Sequence, residues 1–212
     1  MNTDRPENRT TKLEQLAAGG DAEALAEFFE LHRDRLSRMI SFRMDRRVQG
    51  RIDTADVLQD SCVEAVSRLN DYARGEDRMP LFLWLRTIAF QKLLELHRHH
   101  LERQKRDAKR EVSIDQPANS GATSAFLAAR LVGQLSTPSR KAMREELRAR
   151  IESALDELQE MDCEVLALRH FEQLTAAEAA RVLQIEESAA SKRYLRAVRR
   201  LGTILQGDGR VG

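Results

Sequence analysis

The sequence is poor in residues that end helices and in residues that build other scaffolds. It has 10 glycines and 4 prolines in 212 residues, and it lacks alternating runs of Val, Ile and Thr, which argues against a sheet-rich fold. Its two cysteines, Cys62 and Cys163, each lie in an apolar helical pattern, which favours small buried side chains over a metal or redox site. No apolar run approaches the ~18 residues of a membrane span, and the first 15 residues lack a signal-peptide core. We therefore expect a cytoplasmic protein with no membrane insertion.

Charge is abundant but unevenly distributed along the chain. Charged residues make up 33% of the sequence and hydrophobic residues 42%, while the net charge is only +1. The segment from Arg86 to Arg110 has eight basic and three acidic residues, and the segment from Ser188 to Leu205 has five basic and no acidic residues. Two basic patches on a nearly neutral chain indicate a polyanion contacted in two places. The alternative is that each patch is the solvated face of a helix.

Apolar spacing predicts an all-α protein of two small helical bundles joined by a flexible linker. Residues 1–103 form the first bundle, with helices that begin near Asp21, at Asp53 or Thr54, and after Pro80. We expect the second of these helices to bury one face, formed by Val57, Leu58, Cys62, Ala65, Val66 and Leu69.

The remaining residues form the linker and the second bundle. Residues 104–137 contain Pro, Gly, Ser and Thr, typical of a linker, interrupted by a short apolar helix at Phe126–Leu135. Residues 138–212 are again regular and form the second bundle.

The stretch "TAAEAARVLQIEESAASKRYLRAVRRL" predicts a helix-turn-helix within the second bundle. Thr175 and Glu178 fit a capping box that begins a helix at Ala176–Leu183. A second helix, Ser188–Leu205, follows the break "QIEE", with one apolar side and one basic side. This layout is typical of a recognition helix that reaches base edges and phosphates, and the alternative is a plain helical hairpin. The basic side consists of Lys192, Arg193, Arg196, Arg199 and Arg200.

Both bundles resemble regions of one protein family. The segment from "LDELQEMDCEVLALRHFEQL" to "YLRAVRRL" is similar to region 4 of the extracytoplasmic-function (ECF) sigma factors, and "DTADVLQDSCVEAVSRLNDY" with "FLWLRTIAFQKLLELHR" is similar to region 2. The resemblance implies a subunit of bacterial RNA polymerase that directs the core enzyme to promoters and opens the downstream element. It also implies three kinds of partner: core polymerase, through its beta-prime clamp helices and beta flap; promoter DNA; and an anti-sigma factor or other regulator.

The resemblance assigns three sets of residues. The clamp helices would contact Asp56, Gln59, Asp60 and Glu64, whose helical spacing places 56, 60 and 64 on one side. The melted downstream strand would contact the loop "NDYARGEDR" and the helix after it, through Asn70, Tyr72, Arg74, Arg86, Gln91, Lys92 and Arg98. In the upstream element, base reading would rest on Ser188, Ser191, Lys192 and Arg193, and phosphate binding on Arg196, Arg199 and Arg200.

Gln184 stands where family members often have Gly, so either it adopts a left-handed conformation or the turn differs.

Other function classes have less support in the sequence. A dimeric helix-turn-helix regulator that binds duplex operators without polymerase would use the same C-terminal bundle. An enzyme is not expected, since no Gly-rich phosphate loop or nucleophile elbow occurs. We expect no cofactor and no metal, because no Cys or clustered carboxylate completes a ligand set with His97, His99 and His100.

Overall fold

The computed structural model describes residues 6–44, 52–75, 79–107, 127–128 and 141–207. Contacts divide the chain into two compact units, residues 1–118 (unit 1) and 119–212 (unit 2). Regular structure in the described residues is helical, apart from an isolated bridge residue at Ile52, so the all-α prediction is confirmed. None of the described helices has the combination of length and hydropathy that crossing a bilayer requires.

The described residues of unit 1 include four helices, two of which begin at a capping aspartate. These are α1 (Pro6–Ala18), α2 (Ala22–Arg43), α3 (Thr54–Arg74) and α4 (Leu81–Asp107). The Asp21 carboxylate accepts the backbone N–H groups of Glu23 and Ala24, and the Asp53 carboxylate accepts that of Ala55. Such caps satisfy amides that have no partner within the helix. Between α1 and α2 the chain turns at Gly20, whose φ of +96° suits a residue without Cβ.

The buried face of α3 differs in part from the predicted one. Val57, Leu58, Ala65 and Leu69 are buried as expected, but Cys62 is half-buried and Val66 is 42% exposed. Val66 lies nine residues after Val57, which is two and a half helical turns and therefore the opposite side of the helix. Ser61 is buried instead, and its hydroxyl donates to the carbonyl of Val57 at 2.5 Å. A polar residue fits this face because its hydrogen bond is satisfied within the helix.

The described residues of unit 2 include four α-helices, one π-helical turn and two further helical residues. The α-helices are α5 (Lys141–Asp156), α6 (Glu160–Leu166), α7 (Ala176–Leu183) and α8 (Glu187–Gly207), and a π-helical turn, Ala167–Phe171, continues α6. Leu127 and Ala128 are helical and are 1% and 0% exposed. They fall within the linker helix that the sequence predicts at Phe126–Leu135, whose other residues lie outside the described ones.

Small side chains allow the helices of unit 2 to pack closely. Ala179 and Ala180 on α7 and Ala190 and Ala197 on α8 are all at most 4% exposed. The two helices pack against each other, and α8 also packs against α5 and α6. Alanine lets helix backbones approach closely but provides no long side chain to interlock. The last helix therefore has one side against the core of unit 2 and the other facing solvent.

Candidate promoter and polymerase interfaces

Helix α7 begins with a capping box and ends at a left-handed residue, which starts the turn to α8. The Glu178 N–H donates to the Thr175 hydroxyl at 3.1 Å, and the Thr175 N–H donates to the Glu178 carboxylate at 2.7 Å. Helix α7 covers Ala176–Leu183 as predicted, while α8 begins one residue earlier and ends two residues later than predicted. Gln184 has φ 55° and ψ 43°, so of the two predicted alternatives the left-handed one is observed.

The solvent-facing side of α8 carries most of its predicted DNA contacts. Lys192, Arg196, Arg199 and Arg200 are exposed, and Arg200 lies 4.0 Å from the exposed carboxylate of Glu157. Ser188 is exposed and Ser191 is half-buried. The opposite side holds Ala190 and Ala197 in the core. This division of polar and small apolar residues leaves four cations on one helix surface, where phosphates can reach them.

Arg193 points in a different direction from its basic neighbours. Its Nη1 lies 3.0 Å from the Asp162 Oδ1 on α6, in a geometry that is both a hydrogen bond and an ion pair. The Asp162 side chain is 6% exposed and that of Arg193 is 30% exposed. Since the guanidinium is already bound to a buried carboxylate, this structure does not present it for the base contact predicted from sequence. The sequence could not reveal this pair, because its members are 31 residues apart.

An apolar cavity of about 300 Å³ lies within unit 2 beside α8. Leu127 of the linker helix forms part of its wall. The other lining residues come from α5, α6, the π-helical turn and α8, namely Leu155, Leu166, His170, Phe171, Tyr194, Val198 and Leu201. The linker residue is thus an integral part of this unit and is packed among the same side chains as the last helix.

The predicted polymerase-binding residues lie on α3, and three of the four are exposed. Asp56, Gln59 and Asp60 face solvent, and Glu64 is half-buried. The sequence analysis missed Val63, which is 66% exposed beside them. An apolar residue at a position that the amphipathic pattern assigns to solvent was the available signal. The face therefore combines acidic and apolar character.

An ion pair between Glu64 and Lys92 connects the predicted polymerase-binding residues with the predicted strand-binding residues. The Glu64 carboxylate lies 3.3 Å from the Lys92 ammonium and 2.5 Å from the Arg68 guanidinium. Hydrogen bonding to Lys92, followed by that to Arg68, lowers the pKa of Glu64. Lys92 also pairs with Glu95 at 3.2 Å, and this bond is the main cause of its raised pKa. Both side chains remain charged at neutral pH as members of one network.

The predicted strand-binding residues divide into exposed and internal ones. Asn70, Arg74, Gln91 and Arg98 are exposed. Arg86 is only 7% exposed, so the sequence expectation that this guanidinium reaches the melted strand is not met in this structure. Its burial follows from the position of α4, which packs against both α2 and α3 and so is covered over more than one stripe.

Tyr72, near the end of α3, contacts an aromatic side chain of α4. Its ring stacks on that of Trp84, with centroids 4.5 Å apart and an interplanar angle of 30°. Its hydroxyl donates to the carbonyl of Met79 at 2.8 Å. The stack and the hydrogen bond fix the two ends of the loop between α3 and α4, which is a structural role in addition to the predicted base contact. Trp84 is half-buried.

The histidines near the end of α4 were the candidates considered for metal binding. Among the side chains that the structure describes, which include His97 and His99 but not His100, no three metal-ligating groups lie close enough to share an ion.

Two all-helical units, the second ending in a capped helix, a tight turn and a basic helix, define the architectural class of this chain. The sequence profile of the ECF sigma factor family matches residues 7–204. The chain therefore belongs to the ECF sigma factor family, and it is an RNA polymerase sigma factor that acts in transcription initiation. Because the match spans both units, it favours this function over that of a dimeric regulator with a similar C-terminal unit.

Two solved structures of sigma factors are similar to this chain. CnrH, solved in complex with the cytosolic domain of CnrY, is 25% identical to it with a TM-score of 0.50, and the match covers 94% of this chain and 99% of CnrH. The sigma factor RpoE of Bartonella quintana, solved with the anti-sigma factor NepR, is 17% identical with a TM-score of 0.41, over 85% of this chain and 97% of that one. No curated protein sequence matches the chain.

Proposed function

We propose that this sigma factor binds core polymerase through α3 and reads promoter DNA at two separate places, with α8 on the upstream element and the end of α3 with α4 on the melted downstream strand. The observation that carries the proposal is the four-cation surface of α8, which follows a capped helix and a tight turn. A basic helix held at its inner side by alanines is suited to lie in the major groove. The chain contributes promoter choice and strand opening, and the chemistry of RNA synthesis belongs to the polymerase.

On the upstream element, α8 divides its contacts between bases and phosphates. Ser188, Ser191 and Lys192 lie in the first two turns of the helix, where a recognition helix contacts base edges. The three exposed arginines further along bind phosphates, which fix register without reading sequence. These are Arg196, Arg199 and Arg200.

On the downstream strand, the exposed polar residues around the loop between α3 and α4 supply the contacts. Asn70 and Arg74 end α3, and Gln91 and Arg98 lie on α4. A guanidinium can stack on an unpaired base, and single-strand sites combine such stacking with cations along the backbone. Lys92 is a further proposed strand contact, and its ammonium group also pairs with Glu64 and Glu95. The stacked rings of Tyr72 and Trp84 join the end of α3 to the start of α4.

The acidic and apolar face of α3 is the proposed site for the beta-prime clamp helices. Asp56, Gln59 and Asp60 present charge and hydrogen-bonding groups, and Val63 adds an exposed apolar side chain on the same face. Mixed faces of this kind are common in protein interfaces, where apolar contacts give affinity and charges give orientation. Unit 2 would contact the beta flap.

We further propose that a regulator covers these surfaces until it is displaced. CnrH was solved in complex with the cytosolic domain of CnrY, and because of this complex we expect an anti-sigma partner for the present chain. The linker residues Leu127 and Ala128, buried in unit 2, support an additional contribution from within the chain. Such a factor has no enzymatic activity of its own and works in the cytoplasm with the polymerase.

Binding to core polymerase tests the proposed α3 face. The affinity of the full chain for sigma-free bacterial core can be measured by titrating fluorescently labelled chain with core. Asp60→Arg places a positive charge on the face and should weaken binding at least about tenfold. The control is Asp34→Arg, which makes the same charge change at an exposed position on α2. Equal affinities of Asp60→Arg and the unmodified chain would place the polymerase contact elsewhere.

A further inference from the structure

We propose that Asp162 is a positioning residue for promoter reading, because its buried carboxylate binds Arg193 and thereby fixes how α8 is rotated toward DNA. This inference rests on the proposed function of α8 as the helix that reads the upstream element. Asp162 itself is 4% exposed and cannot reach DNA. Its effect on recognition would be transmitted entirely through Arg193.

The pair joins the beginning of one helix to the second turn of another. Asp162 lies in the first turn of α6, and Arg193 follows the start of α8 by six residues. The two atoms, Oδ1 and Nη1, are 3.0 Å apart. A carboxylate removed from water requires such a partner, and the planar guanidinium makes the bond directional. The bond therefore restricts the direction in which this part of α8 can face.

The most buried side chains of α8 are poorly suited to that task, while its larger inward residues Tyr194 and Leu201 line the cavity. Ala190 and Ala197, one turn before and one turn after Arg193, are fully buried but have only a Cβ to resist rotation. Side-chain tips lie about 5–6 Å from a helix axis, so a rotation of about 20° moves them by about 2 Å. A displacement of that size breaks a hydrogen bond to a base edge. Flanking Lys192 would lose its register while the arginines further along would still find phosphates.

A second ion pair on the same helix provides a matched control. Arg200 of α8 lies 4.0 Å from Glu157, and both side chains are more than half exposed. An exposed pair at this distance contributes little to position. Glu157→Gln removes one carboxylate near α8, as Asp162→Asn does, but without disturbing a buried contact.

The test measures sequence discrimination by holoenzyme made from core polymerase and the full chain. The unmodified holoenzyme first selects its preferred upstream element from a randomised duplex pool. Affinities for that duplex and for one with a shuffled upstream element then give a specificity ratio, and a salt titration gives the number of phosphate contacts. The same measurements follow for Asp162→Asn, Arg193→Met, the double variant and Glu157→Gln. Circular dichroism verifies that each variant is folded at the assay temperature.

The inference predicts that Asp162→Asn lowers the specificity ratio about tenfold, as expected for one lost base contact, with an unchanged salt slope. Arg193→Met should have the same effect, the double variant should add nothing further, and Glu157→Gln should change neither quantity. An unchanged ratio in folded Asp162→Asn would overturn the inference. So would a salt slope lowered by about one in Arg193→Met alone, since Arg193 would then bind phosphate.

Two further outcomes of the experiment can be distinguished from a failure of the inference itself. If Asp162→Asn does not fold, Asp162→Glu keeps the charge and displaces it by one methylene group, and the inference predicts the same loss of discrimination for it. If the unmodified holoenzyme shows no preference for any upstream sequence, the proposed role of α8 is wrong and the inference fails with it.

Discussion

Replacing Gln184 with glycine should stabilise unit 2, because Gln184 has a left-handed conformation that glycine adopts without steric cost. Gln184 has φ 55° and ψ 43°, and the Ile185 N–H donates to the Ala180 carbonyl at 3.0 Å to close α7. A left-handed conformation costs a residue with Cβ about 1–2 kcal/mol, and glycine loses about 0.5–1 kcal/mol more backbone entropy on folding. The Gln184 side chain is exposed, so its removal costs little. The net gain is about 0.5–1 kcal/mol.

Calorimetry of the full chain can measure this gain. For a unit of this size it corresponds to a rise of about 2–6 °C in Tm. The one tryptophan, Trp84, lies in unit 1, so its fluorescence reports on that unit and calorimetry on the whole chain. Gln173→Gly should act in the same direction, because Gln173 has φ 56°. Ala177→Gly, at an exposed position in the first turn of α7, should instead destabilise by up to about 1 kcal/mol. A Tm lowered by Gln184→Gly to the same extent would refute the left-handed turn.

Three other predictions concern DNA binding, the linker and pH. Arg196→Ala and Arg199→Ala should each lower the slope of log affinity against log salt by about one, uniformly across upstream sequences, whereas a loss confined to one base position would contradict a phosphate contact. Leu127→Ala should cost unit 2 about 2–3 kcal/mol in denaturant unfolding, because Leu127 is 1% exposed and lines the cavity, and an unchanged midpoint would exclude Leu127 from the core. Burial raises the pKa of Cys163 from 9.0 to about 11, so the folded state favours the protonated thiol, and stability should fall between about pH 9 and pH 11. Cys163→Ala should remove that part of the fall, and identical pH profiles would contradict the assignment.

Features set by neighbouring residues were predictable from sequence. Asp21, Asp53 and Thr175 begin their helices as expected, because a capping side chain bonds amides only two or three residues away. The two alternatives for Gln184 followed from the resemblance, because Gln184 stands where family members often have glycine, which adopts the left-handed conformation readily.

Features that depend on a second helix were not predictable in the same way. The burial of Arg86 requires that α4 be covered by both α2 and α3, and hydrophobic periodicity describes only one buried stripe. Arg193 has the same chemistry as Arg196 and lies on the same helix, yet only Arg193 meets the Asp162 carboxylate. Composition and spacing identify a basic helix, but tertiary contacts decide which of its cations remain available for DNA.

Transcription in vitro tests the central claim most directly. The full chain is added to sigma-free bacterial core polymerase on a pool of genomic promoter fragments, and the RNA start sites are mapped. The account predicts new, discrete start sites that disappear with Asp60→Arg and persist with Asp34→Arg. A chain that never associates with core polymerase, yet shifts duplex DNA on its own, would contradict it.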